Sequence, residues 1–136
     1  MPLSLIDLNK RQKDKKLNGL IEVHHENGEL KSRGKYQDGL KVGLHEIFHE
    51  NGQLQGKGNF KEGKPDGLWN WYYDNGQVSH TGSHNNGKRV FLWEEYHYNG
   101  QLMYRRNFKN GKEFGLWERY DEDGKSEPKS NSYKGQ

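Results

Sequence analysis

Apolar residues and glycines recur along this chain at fixed places, 24 residues apart. Gly19, Gly43, Gly67 and Gly115 open successive copies, with Phe91 standing where one further glycine is due. Leu20, Leu44, Leu68, Leu92 and Leu116 follow them. Asn-Gly falls at 27–28, 51–52, 75–76 and 99–100, and Asp-Gly at 123–124. A fixed period of this length marks a repeat architecture, which governs every later reading. Counting each opening residue as position 1, apolar and polar residues alternate over positions 1–8 and again over 11–18. That is the two-residue period of strands, and beyond residue 18 no helical period competes with it.

Each repeat therefore reads as two strands. Asn-Gly at positions 9 and 10 predicts a two-residue type I′ hairpin between them. A second turn follows at Asp38-Gly39, Glu62-Gly63, Asn86-Gly87 and Asn110-Gly111, where glycine supplies positive φ. With partners summing to 19, position 4 faces position 15: Glu22 with Arg33, Glu46 with Lys57, Asn70 with Thr81, and Glu94 with Arg105. Cross-strand pairing favours such opposite charges. Position 3 faces position 16, setting Ile21 over Gly34, His45 over Gly58, Trp69 over Gly82 and Trp93 against Arg106. The same register predicts that Tyr96 faces Met103 and Tyr98 faces Gln101.

The predicted fold is all-β: a single-layer antiparallel meander of about nine or ten short strands. One face, carrying Trp69, Trp71, Trp93, Trp117, Tyr36, Phe60 and Phe108, is expected to pack. The other carries the leucine row and Tyr72 and Tyr96 among charges. Nothing in the chain supplies a second layer, so the sheet must twist until neighbouring rings cover one another. Residues 1–18 read as a capping half-repeat, with a short helix from Leu3 to Lys16 as the rival. The repeats occupy 19–42, 43–66, 67–90 and 91–114, with a partial copy at 115–124. Residues 125–136, with Pro128, read as a disordered tail, with a frayed last half-repeat as the alternative because Gly135 keeps register with Gly111.

Composition explains why a thin structure is needed. Hydrophobic residues make up only 29% and charged residues 30%, too little for a deep core, yet aromatics reach 12% at regular spacing. The net charge of +3 is a slight excess rather than the clustered stripe that nucleic-acid binding needs. The absence of cysteine removes disulfides and thiolate chemistry and makes a reducing cytoplasm the default compartment. The apolar stretch near the N-terminus is too short for a membrane span.

The pattern G-x-W-x-x-Y-Y-x-N-G, in Gly67, Trp69, Tyr72, Tyr73, Asn75 and Gly76, continues with a Gly and an aromatic or Gly-Lys pair, as in Gly58, Phe60, Gly63 and Lys64. It resembles the MORN-variant repeat over residues 19–124. Departures fall at Ile21 and His45, which replace Trp, and at Phe91 and Arg106, which replace Gly. The resemblance implies an elongated antiparallel sheet. It further implies a bacterial antitoxin or immunity protein paired with a toxin or effector, or a scaffold at a membrane surface that meets anionic phospholipid.

Candidate chemistry is sparse. His25, His49 and His97 share position 7, but equivalent positions two strands apart lie roughly 9–10 Å from one another, too far to share a metal. No nucleophile elbow and no His-Glu-x-x-His motif occurs, so neither catalysis nor a cofactor is expected. The fourth repeat breaks the pattern where a binding surface would. Position 8 is acidic in the other copies and Tyr98 here; position 13 is Lys31, Gln55 or Ser79 elsewhere and Met103 here. Tyr96, Tyr98 and Met103, flanked by Glu94 and Arg105, have the composition of an interface centre. The alternative is that Met103 fills a gap beside Tyr96.

Overall fold

The computed structural model describes residues 16–127 and the backbone of 130–131; the predicted cap falls largely outside the described residues. Ten strands form one sheet in chain order, every neighbour antiparallel. They are β1 (Gly19–His24), β2 (Leu30–Gln37), β3 (Leu40–Phe48), β4 (Leu54–Lys61), β5 (Lys64–Tyr72), β6 (Val78–Asn85), β7 (Lys88–Tyr96), β8 (Leu102–Lys109), β9 (Lys112–Arg119) and β10 (Ser130–Asn131). The described residues contain no helix.

The central register is the expected one. Glu22 pairs Arg33, Glu46 pairs Lys57, Asn70 pairs Thr81 and Glu94 pairs Arg105. The two turn types are exchanged relative to expectation. At the Asn-Gly ends, Gly28 N–H donates to the His25 carbonyl (2.9 Å) and His25 N–H to the Glu29 carbonyl (2.8 Å). Gly28 takes φ 90° while Asn27 keeps negative φ. This is a three-residue loop closed by a glycine bulge. The type I′ turns lie at the other end, where Asp38, Glu62, Asn86 and Asn110 all have φ of 50–52° ahead of their glycines.

Asparagine is then needed for a different reason. Asn27 Nδ2 donates to the Glu50 carbonyl at 3.0 Å, and Asn51, Asn75 and Asn99 repeat the bond to Asp74, Tyr98 and Glu122. Position 7 adds a second bridge beside it: His25, His49 and His97 reach the carbonyls of Phe48, Tyr72 and Tyr120, and Tyr73 reaches that of Tyr96. On the opposite edge, each type I′ glycine N–H binds the preceding hairpin, as Gly63 does to Lys41 and Gly87 to Pro65. Polar ladders along both long edges thus tie repeat to repeat.

The aromatic face departs from expectation in one respect. Trp69 pairs both Gly82 and Gly58 along the backbone, and its ring leans over Gly58, where an added Cβ would collide with the indole. Trp93 covers Gly82 and His45 covers Gly34 in the same manner. Each glycine is therefore covered by the ring of the following repeat. The cause is a bulge at each inter-repeat step, between Gly34/Lys35 and between Gly58/Asn59. It frees a carbonyl from the ladder, and the ring N–H takes it. Trp69 Nε1 donates to Asn59 O (2.9 Å), Trp93 Nε1 to Ser83 O (3.1 Å) and His45 Nε2 to Lys35 O (2.7 Å). The opening residue supplies the bulge with positive φ: 68° at Gly43, 77° at Gly67 and 76° at Gly115. Phe91 is held at φ 63°, a strained value for a side chain of its size.

The resulting core is one row of rings. Tyr36, His45, Phe60 and Trp69 follow edge to face with centroids 4.9–5.6 Å apart, and Trp69, Trp71 and His80 then stack in parallel. Trp69 and Trp93 are each 2% exposed. At the C-terminal end pairing runs beyond the boundary expected for the tail. Asp121 closes the last hairpin loop, Ser126 bridges Tyr120 and Ser130 pairs Trp117. Ser130 takes the register place of the slot glycines. Backbone pairing continues here because it needs the loop geometry, not the apolar pattern that fades after Tyr120.

Candidate functional site

The face opposite the rings carries two features side by side. The first is a charge ladder across the sheet: Glu22, Arg33, Glu46, Lys57, Asn70, Thr81, Glu94, Arg105 and Glu118 are successive partners. Arg33 pairs Glu46 at 2.8 Å, and Arg105 lies between Glu94 (3.0 Å) and Glu118 (3.4 Å). The hydrogen bond it donates to Glu94 raises the Arg105 pKa above its already high ordinary value, so the guanidinium stays charged. The second is the leucine row. Register sets Leu20 on Lys35, Leu44 on Asn59, Leu68 on Ser83 and Leu92 on Asn107. Each partner is polar, and the leucines stay open to solvent. They are 42–65% exposed from Leu20 through Leu116. Side chains two strands apart repeat about every 10 Å, so the leucines form a regularly spaced row.

The five residues singled out in the fourth repeat separate into two groups. Glu94, Tyr96 and Arg105 are joined: Arg105 binds Glu94, and the Tyr96 hydroxyl donates to Glu94 at 3.3 Å. Met103 is half-buried near them, and its carbonyl accepts the Tyr120 N–H. The expected facing of Tyr96 and Met103 is corrected, because a bulge between Glu95 and Tyr96 makes Leu102 the partner of Tyr96. Tyr98 does not face Gln101 either. It stands on the hairpin loop, 56% exposed, with its hydroxyl on Asp74 at 2.8 Å and its ring 5.2 Å from that of Tyr73. It belongs with the third repeat.

Charge is divided between the two long edges, a feature the sequence reading missed. Over positions 17–24 of the four repeats, eight Lys and Arg face four Asp and Glu; over positions 6–13 of the five copies, two face eight. The basic edge carries the type I′ turns and the acidic edge the Asn-Gly loops. Of the large hydrophobic side chains left exposed among the described residues, only Tyr98 lies toward the acidic edge; the leucine row, Leu40, Phe91 and Phe114 lie toward the basic one. Counting charge by repeat position would have revealed this division, whereas the net charge conceals it.

A MORN repeat variant model matches residues 17–38, 41–62, 65–88 and 92–110. The chain belongs to the MORN repeat variant family. Among curated proteins none matches it. Two solved structures are similar at 14% identity. One is a glycine-to-arginine mutant of S. aureus TarM in complex with fondaparinux, alpha-GlcNAc-glycerol and UDP (TM-score 0.42), and the other is TarM itself (TM-score 0.40). In each case the match covers 79% of this chain and 23% of the TarM chain. MORN repeats in general are protein- or membrane-binding modules, and among the described residues no helix is long and apolar enough to cross a membrane.

Proposed function

We propose that this MORN-variant sheet is a non-catalytic module that binds a protein partner across its leucine-bearing face. The observation that carries the reading is the exposed row from Leu20 to Leu116. Five exposed leucines aligned on one face, at every second strand, support an interaction site there. The ladder of Glu22, Arg33, Glu46, Glu94 and Arg105 beside it would steer and register the partner. Tyr96 and Met103 extend the apolar surface at the fourth repeat. A cognate toxin or effector, occluded by the sheet, is the partner class that family resemblance suggests, with action in the cytoplasm.

The test is co-expression with the product of an adjacent toxin-like reading frame, scored by growth and by direct binding. Leu68→Glu with Met103→Lys should weaken binding by about 2 kcal/mol or more if these side chains are anchors, with an unchanged circular dichroism spectrum. Full neutralisation by the double variant would exclude this face.

One observation favours a second reading. The leucine row and Phe91 lie toward the edge that carries Lys61, Lys64, Lys88, Arg89, Lys109 and Lys112. Apolar side chains beside lysines also suit an anionic membrane surface. Flotation with phosphatidylserine vesicles that collapses at high salt would support it, and no flotation at low salt would remove it.

A further inference from the structure

On the ring-bearing face, toward the acidic edge, lies an open cleft of about 360 Å³ whose lining includes Trp71, Tyr73, Asp74, His80 and Tyr98. The fold does not require Trp or Tyr there. Position 5 is Val23, Ile47, Glu95 and Arg119 in the other copies, position 7 is His25, His49, His97 and Asp121, and position 8 is acidic in every copy except at Tyr98. Three aromatic departures, two from the third repeat and one from the fourth, converge on one place.

The cleft is built in advance. Tyr73 donates to the Tyr96 carbonyl at 2.6 Å, Tyr98 donates to Asp74 Oδ1 at 2.8 Å, and Asn75 holds the Tyr98 carbonyl at 3.0 Å. Trp71 and His80 stack at 5.7 Å with planes 16° apart. Side chains already held in place lose little freedom on binding. Its lining carries one formal charge, and that charge is negative. Among the described residues, Asp74 is the only Asp, Glu, Lys or Arg of the lining. Burial lowers the His80 pKa, so its imidazole is neutral at pH 7. The hydrogen bond to Asp74 raises that of Tyr98, which stays a phenol. Beyond the lining, Glu95 and Arg89 act on His80 with opposite signs.

The geometry points to this cleft as a receptor for an organic cation, the arginine or lysine side chain of a basic segment in a protein partner. Ring faces of Trp71, Tyr73 and Tyr98 attract a guanidinium or ammonium through their quadrupoles, and Asp74 supplies a carboxylate for a charge-assisted hydrogen bond. The protein origin of the cation rests on the proposed function; the chemistry of the cleft does not. The site lies on the sheet face opposite the leucine row, so the two can fail separately.

The probe is N-acetyl-argininamide, with its uncharged citrulline counterpart as the comparison, followed by NMR on the indole N–H signals of the four tryptophans. The arginine probe should shift the Trp71 signal and leave Trp117 in place. Asp74→Asn keeps an acceptor for Tyr98 but removes the charge, and should weaken the probe at least about tenfold. Tyr98→Ala should do the same. Leu68→Glu, on the other face, should change nothing here even if it abolishes partner binding. Equal shifts from the citrulline probe, binding by Asp74→Asn within about twofold of the parent, or stronger displacement of the Trp71 signal by a neutral hexose would each overturn the assignment.

Discussion

Trp93 and Trp117 occupy the same place in consecutive repeats, yet only one is buried. Trp93 lies over Gly82, gives its N–H to Ser83 and is 2% exposed. Trp117 should find a glycine one repeat back and finds Arg106. The guanidinium occupies that place instead, paired with Glu95 and Glu113 and resting over the rings of Tyr104 (5.0 Å) and Phe108 (5.5 Å). Trp117 is left half-buried, 5.7 Å from the Tyr104 ring. We infer from the contrast that burial at this position of the repeat depends on what the neighbouring strand lacks. A ring can lie flat on a strand only where no Cβ projects.

The largest test of that contrast is truncation. Trp93→Ala should cost about 3–5 kcal/mol, the range for large aromatic core truncations, and Trp117→Ala less than half as much, read from urea midpoints at constant slope. Equal shifts would mean that the glycine slot contributes nothing. Next comes the slot itself. Gly82→Ala forces a methyl into the Trp93 indole and should cost about 1–3 kcal/mol by overpacking, whereas Asn107→Ala, which pushes no atom into a ring, should be far milder. A Gly82→Ala midpoint matching the parent would show that the ring can simply move aside.

Arg106→Gly sharpens the comparison from the other side. It removes the obstacle, so Trp117 should settle over the strand and its indole N–H should become protected from exchange and from acrylamide quenching. Unchanged quenching would locate the cause elsewhere, for instance in the short final pairing of Ser130 and Asn131. A smaller gain should come from Phe91→Gly, which relieves φ 63° at a side chain that is 72% exposed. Stability should rise by about 1 kcal/mol, and a fall would reveal packing by the Phe91 ring.

The last effect vanishes at neutral pH. His45, His80 and His84 have pKa values lowered, chiefly by burial, so the folded protein resists their protonation while the unfolded chain accepts it. Their contribution is complete above the ordinary histidine value near 6.5 and is lost as pH falls below it. His45→Trp, which places in the Gly34 slot the ring used by the later repeats, should flatten the acid limb of the stability profile. An unchanged limb would assign acid sensitivity to carboxylates.

By itself the sequence determined the strand count, the pairing of positions 4 and 15, and which face holds the rings. These depend on alternation and on cross-strand charge, both written locally and repeated until accident is excluded. The tertiary structure alone decided the rest. Both turns carry X-Gly, so only backbone dihedrals reveal that type I′ lies at Asp38-Gly39 and its equivalents, and that Asn27, Asn51, Asn75 and Asn99 serve the next repeat. Strand pairing sets Trp69 between Gly82 and Gly58, and the Asn59 carbonyl beside the bulge draws the ring to the Gly58 side. The site residues divide for the same reason. Glu94 and Arg105 meet because regular pairing brings them together, whereas Tyr98 lies beyond the Glu95/Tyr96 bulge, where register ceases to predict a neighbour and the loop delivers it to Asp74 of the preceding repeat.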